Sequence, residues 1–401
     1  MALLPVDEAL RRLLEGAGPV GQETVPLDEA AGRVLAGPLH ALRTQPPFDA
    51  SAMDGYAVRA ADVAEAPARL TVIGSAPAGK PFGGAVGPGQ AVRIFTGAPV
   101  PSGADTIVIQ ENARHAGNGI VEVTEPTAAG RHIRRAGLDF AQGDLLLEDG
   151  RLLDAAALSL AAAANHPRLT VVRQPLVAII ATGDELLPPG SDVGPGQIIA
   201  SNAYGVAASL RAAGARVLDL GIAPDRRDVL ASFVRRGLEA GADIIVTLGG
   251  ASVGDHDLVH EVLTAEGMSL DFWKIAMRPG KPLMFGRLGS TRCVGLPGNP
   301  VASLICTELF LKPLVSRLGG RHHEPDIRDA VLAMPMGAND QRQDYVRAIA
   351  IPSAEGLSVT PLPVQDSSML RTLAEANALL IREPFAAAAA AGAPCRIMML
   401  R

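Results

Sequence analysis

Apolar residues at Leu10, Leu13 and Leu14 fall on one face of a helix, which predicts a helix over 6–16. A second helix is predicted over 152–164, an Ala- and Leu-rich run with Asp154 placed to cap it. Between them, 47–140 is rich in glycine, proline and β-branched residues, with strand-like runs at Leu70–Ile73 and Thr106–Ile109. This pattern reads as a β-rich insertion between two helical pieces of another domain. From residue 176 the pattern alternates. Strand-like Val177–Ile180, Val217–Leu220 and Asp243–Leu248 are separated by helical runs at Asn202–Ala213, closed by Gly214, and at Val229–Glu239. Alternation of this kind predicts a mostly parallel sheet covered on both faces. After Pro325 strands return at Tyr345–Ile351, Leu357–Thr360, Ala378–Ile381 and Cys395–Leu400. The expected architecture is α/β and β, in several domains. A helical N-terminal domain is split into 1–46 and 141–175, with the insertion at 47–140. An α/β domain covers 176–325 and a small barrel-like β domain 326–401.

Composition narrows the function classes. The chain has 401 residues, 48% hydrophobic and 19% charged, an ordinary globular balance. A net charge of −6 offers no basic footprint for nucleic acid, and 3% aromatic residues leave little to stack on bases. No apolar run reaches the ~18 residues that span a bilayer, and Ala386–Ala391 is far too short. The start, Met1–Glu8, has neither a basic region nor a cleavage pattern, so a cytoplasmic location without membrane attachment is expected. Cys293, Cys306 and Cys395 are too scattered for a disulfide framework or a metal site.

The candidate chemistry sits in three strand-to-glycine turns. Asp243–Val246 runs into Thr-Leu-Gly-Gly-Ala-Ser-Val-Gly-Asp-His-Asp, 247–257, followed by a helix from Leu258. Such a turn gathers free backbone N–H groups into an anion site. Asp255 and Asp257 would repel an anion there unless a cation lay between, which points to an oxyanion held with a divalent metal. Val177–Leu186 repeats the logic with Asp184 and Glu185. Cys293–Val301 repeats it with Asn299 as an N-cap and Pro300 at N1. Asp257 and Glu185 are the leading Mg²⁺ ligands, because Mg²⁺ takes carboxylate and phosphate oxygens. At helix starts, acids also serve as plain caps, which is an equally good account of Asp184 and Asp255. Lys274, Arg278 and Lys281 form a cation group, and Pro279-Gly-Lys-Pro282 restricts where Lys281 can point. Open α/β sheets bind ligands beyond the carboxyl ends of their strands. Gly74–Pro81 fits G-x-x-x-x-G-K but ends in proline instead of Ser or Thr, so it is read as a loop. His322-His323 beside Pro325 reads as an exposed linker.

An ordered series of motifs carries a family resemblance. It comprises Ser51-Ala-Met-Asp-Gly-Tyr-Ala-Val-Arg59, Ile94–Pro99 with Gly103–Asp105, Thr182–Leu186, Ser252–Gly254, Pro279–Pro282 and Gly295–Pro300. Together they resemble the MoeA family, the molybdopterin molybdenumtransferases, which include the E domain of gephyrin. The resemblance covers essentially the whole chain and implies an α/β domain of the molybdopterin-binding type. The implied activity is insertion of molybdate into adenylylated molybdopterin with release of AMP. It implies substrate contacts at Gly249, Gly250, Ser252, Gly254, Asp225, Pro297, Gly298, Asn299 and Ser201, and adds Asp184 to the metal set. On resemblance alone, Asp54 and Thr96 join Asp257, Glu185, Lys274, Arg278 and Lys281 as catalytic candidates. Arg134, Asp139, Arg347 and Ser367 are carried over as further substrate contacts. The implied assembly is a homodimer with the active site shared between subunits, in transient contact with an adenylyltransferase and molybdoenzyme acceptors. Ala200 stands where many relatives carry an acid, which bears on metal number or affinity. Two rival readings are an adenylyltransferase, which usually shows a Gly-Gly-Thr-Gly turn, and a gephyrin-like scaffold, which would need a long linker.

Overall fold

Helix α1 (Val6–Leu14) buries Val6, Ala9 and Leu13 along one stripe, as its apolar spacing predicts. The computed structural model describes residues 3–250, 258–354 and 356–400. The chain forms two units, one of residues 1–23, 32–34 and 170–401, the other of 24–31 and 35–169.

The 24–31/35–169 unit is built on a six-stranded sheet. Its strands are β1 (Gly55–Val58), β2 (Ala68–Ala76), β3 (Gln90–Ile94), β4 (Thr106–Ile109), β5 (Ala113–His115) and β6 (Ile120–Val123). The order is β4-β1-β3-β2-β6-β5, antiparallel except for β2 beside β3. Alternate residues feed opposite faces. Tyr56, Val58, Val108 and Val121 pack on one side, and Ala57, Val92, Ile94 and Ile107 on the other. Helix α2 (Ala155–Ala163) starts where expected, with Asp154 Oδ1 accepting the Ala157 N–H at 2.8 Å. The two predicted helices thus belong to different units.

The larger unit holds the α/β sheet. Its elements are β7 (Leu176–Thr182), α3 (Asn202–Ala212), β8 (Arg216–Ala223), α4 (Arg227–Glu239), β9 (Ile244–Leu248) and α5 (Leu258–Ala265). They continue with β10 (Ser269–Lys274), β11 (Pro282–Leu288), β12 (Thr291–Leu296), α6 (Pro300–Cys306) and α7 (Lys312–Leu318). The order is β8-β7-β9-β12-β11-β10; the first four strands are parallel and the last two antiparallel. Helices cover both faces. Ile179, Val246 and Leu296 pack against Val206 and Leu210 of α3, Val301 and Ile305 of α6, Leu314 of α7 and Leu13 of α1. Ala178, Ile180 and Ile245 pack against Leu230 and Val234 of α4 and Val259 and Val262 of α5. Burial on both faces explains why β7 reads as one apolar run.

The chain ends in a closed five-stranded barrel of β13 (Ile327–Leu332), β14 (Gln343–Ser353), β15 (Gly356–Pro361), β16 (Ala378–Arg382) and β17 (Pro394–Met399), with α8 (Leu370–Glu375) before β16. Closure falls to β14, whose eleven residues pair with β15 at one end and β16 at the other. Val346, Ala348 and Val359 fill the barrel, while Tyr345, on the opposite face of β14, joins the α/β core. Met277–Arg278 adds to β14 in parallel and ties barrel to sheet.

Candidate functional site

The carboxyl ends of β7, β8, β9 and β12 open onto a cleft of about 720 Å³. Its floor consists of glycine turns. Gly249 and Gly250 follow β9 with φ of 95° and 64°, conformations that L side chains rarely adopt. A Cβ on Gly249 would lie 2.8 Å from the Thr182 carbonyl oxygen, so β7 and β9 can approach this closely only with glycine there. A Cβ on Gly298 would lie 3.7 Å from Gly249 Cα, so the turns after β9 and β12 meet backbone to backbone.

Polar side chains ring this floor. Asn202 Nδ2 donates to the Gly298 carbonyl at 2.7 Å, and Ser303 Oγ donates to the Pro297 carbonyl at 2.7 Å. Pro300 sits at N1 of α6 as expected, but Asn299 makes no side-chain cap. Its Nδ2 instead donates to Ser367 Oγ at 2.7 Å, joining a barrel loop to the cleft. Ser201 holds the N-cap position of α3 without a capping bond and lines the cleft beside Ala200. Glu185 and Asp225 line one end. The Asp225 N–H donates to Asp184 Oδ1 at 3.0 Å. Burial, then the charges of Asp184 and Glu185, push the Asp225 carboxyl above its ordinary value. Among the described residues no three metal-ligating side chains close into a cage. Asp257, Ser252 and Gly254 of the predicted site lie outside the described residues, as does Asp255.

The expected cation group is arranged differently from a cluster aimed at the cleft. Lys274 ends β10 and Lys281 precedes β11. None of Lys274, Arg278 and Lys281 is among the described residues lining the cleft. Arg278 faces barrel acids: its Nε donates to Asp344 at 2.8 Å and a terminal nitrogen also reaches Asp344, with Asn339 at 3.2 Å and Asp340 at 3.4 Å. Asp344 holds its pKa above the ordinary arginine value.

Arg347 is 1% exposed and does not line the cleft. It donates to the Asp366 carbonyl at 3.1 Å, while its Nε has no partner among the described residues. Ser367, Ser368 and Leu370 bring the barrel loop to the cleft, the last two as lining. Sequence reasoning missed Ser368 and Leu370. No local pattern marks them, and they reach the site only because the barrel packs beside α6.

The other unit brings Asp54 and Thr96 together. Asp54 Oδ1 accepts the Thr96 N–H and hydroxyl, each at 2.8 Å. These two bonds, the backbone one first, hold the Asp54 carboxyl below its usual range. Behind them the Arg93 guanidinium lies 5.1 Å from the Tyr56 ring and 5.0 Å from the Phe95 ring. Arg134 pairs with Ala50 on the strand leading to this turn, and the Asp139 N–H donates to the Gln45 carbonyl; both side chains are exposed. Gly74–Ala76 form the end of β2 and not the loop expected there, but no helix follows through Pro81, so the segment has no phosphate-binding strand-to-helix turn; exposed His322 pairs with Glu324 at 2.8 Å.

The model of the MoeA N-terminal region (domain I and II) matches residues 4–165. That of the probable molybdopterin binding domain matches 178–317, and that of the MoeA C-terminal region (domain IV) matches 329–400. The molybdopterin molybdenumtransferase of Haemophilus influenzae is 34% identical over 387 residues, 95% of each chain. That of Nostoc sp. is 40% identical over 305 residues, 74% of this chain and 70% of the relative. The crystal structure of the molybdopterin biosynthesis MoeA protein from Pyrococcus horikoshii covers 100% of both chains with a TM-score of 0.83 at 28% identity. The chain belongs to the MoeA family of molybdopterin molybdenumtransferases.

Proposed function

We propose that this protein inserts molybdate at the dithiolene of adenylylated molybdopterin and cleaves the phosphoanhydride link to release AMP. The observation that carries this reading is the cleft itself, with glycine turns and carboxylates at the ends of four parallel strands, in a chain that matches the family from end to end. Close-packed glycine backbones let N–H donors approach phosphate oxygens. The donor set suits Mg²⁺, because its oxygens are hard carboxylates, and Asp184 and Glu185 lie close enough to Asp225 that their charges, after burial, push its carboxyl above the ordinary value. Glu185 and Asp257, with Asp184, would hold the ion. When bound, it supplies charge neutralisation for the phosphates. Asn202 and Asn299 keep the turn after β12 in place, and Lys274 and Lys281 orient the anions, while Arg278 is held by the barrel acids Asp344 and Asp340.

The protein acts as a homodimer in the cytoplasm. Asp54 and Thr96 of one subunit complete the cleft of the other, and exposed Met53 and Phe95 beside them are suited to that contact. The adenylyltransferase and the molybdoenzyme acceptors are its transient partners. The test is AMP release from adenylylated molybdopterin with Mg²⁺, with and without molybdate. Wild type is expected to release AMP only with molybdate, and Glu185→Ala to be slower by about 10²-fold or more. Synthesis of the adenylylated pterin from ATP would overturn the transferase reading, and folded protein with neither activity would favour a scaffold.

A further inference from the structure

The loop between β15 and α8 completes the cleft wall, yet it has almost no packing of its own. None of residues 363–370 is buried. Apolar burial therefore cannot be what holds it, and its polar contacts decide its position.

Those contacts converge on one side chain. The Gln365 amide nitrogen donates to the Arg347 carbonyl at 2.9 Å and to the Leu362 carbonyl at 2.7 Å. Its oxygen accepts the Arg347 N–H at 3.0 Å. Gln365 thus serves β14 as a neighbouring strand would, accepting the Arg347 N–H and sharing the Arg347 carbonyl with the Leu362 N–H, which donates to it at 2.9 Å. The next residue is gripped as well, because buried Arg347 donates to the Asp366 carbonyl. The Asp366 carboxylate accepts the Ser368 N–H at 2.8 Å and its hydroxyl at 2.5 Å. Beyond this anchor the loop reaches α6. The Ser367 carbonyl accepts the Val301 N–H at 3.0 Å and Ser367 Oγ accepts from Asn299. Val301 lies in the first turn of α6, where an N–H has no partner within the helix.

We infer that Gln365 is a positioning residue for the substrate cleft: it fastens the 365–368 strap to the barrel, and the strap holds Asn299 and the cleft wall at Ser368 and Leu370. This inference rests on the transferase reading for its substrate. The chain of contacts predicts an effect on binding, since the strap forms a wall and, among the described residues, makes no hydrogen bond to Asp184, Glu185 or Asp225.

The experiment pairs kinetics with amide hydrogen exchange on the full-length protein. Gln365→Ala is expected to raise KM for adenylylated molybdopterin about tenfold, with kcat within about twofold. Exchange at the Val301 amide should quicken about tenfold, while Leu380 and Ile397 in the barrel keep their protection. Gln365→Glu retains an acceptor for the Arg347 N–H but cannot donate to the two carbonyls when ionised, so it should behave like Gln365→Ala. Unchanged Val301 exchange in both variants overturns the inference, as does uniform loss of protection through the barrel, which marks a purely structural role. Wild-type protein without AMP release would sink the transferase reading, and Val301 exchange would still decide whether Gln365 holds the strap.

Discussion

Asp225 shows how the site's chemistry reaches stability. Its carboxyl is raised by burial and by the charges of Asp184 and Glu185. A raised folded-state pKa gives stability that is complete below the unfolded value, near ~3.9, and is lost as pH rises through the folded value. At neutral pH the three carboxylates therefore oppose one another, and a cation relieves them. Asp225→Asn should raise Tm at pH 7 in chelator by an amount of order 1 °C, and leave it unchanged at pH 3. Mg²⁺ should stabilise wild type more than the variant. Thermal unfolding at the two pH values, with and without Mg²⁺, checks this; equal shifts at both pH values would refute it. Glu185 and Asn299 were legible as candidates because each sits in a short motif after a strand. The surroundings of Arg278 were not. Its acceptors Asn339, Asp340 and Asp344 lie more than sixty residues downstream and meet it only through barrel packing.

At the level of elements, the cleft depends on turns that tolerate no side chain. Gly249→Ala would force a left-handed φ and set a Cβ against a carbonyl of β7. It is expected to cost about 2–3 kcal/mol. Gly298→Ala, with its new carbon 3.7 Å from the nearest atom, should cost within about 0.5 kcal/mol. Urea denaturation of the two variants makes the comparison, and equal midpoints would show that the backbone gives way. Parallel strands such as β7 and β9 were readable as unbroken apolar runs, since both of their faces are buried. The antiparallel edge of β10 and β11 was not. Exposed Ser269, Leu270 and Asp271 of β10 carry no strand pattern, and pairing with β11 is what makes them one.

For the whole molecule, the proposal of a site shared between subunits predicts complementation. Asp54→Ala and Glu185→Ala homodimers should each be nearly inactive. After dissociation and mixing in equal amounts, about half of the dimers are heterodimers with one intact site each. AMP release should then recover to about a quarter of wild type. No recovery with verified subunit exchange would place both residues in the same subunit's site. The sequence by itself determined the succession of β-rich, α/β and β segments and the glycine turns after β7, β9 and β12, because each depends on local periodicity or on backbone conformations that only certain residues adopt. Only the tertiary structure decided that Asn299 bonds Ser367 instead of capping α6, that Arg347 is buried, and that the 365–368 strap completes the cleft. Those contacts join residues far apart in the chain, and such pairings are set by how the barrel packs on the sheet, which no local pattern encodes.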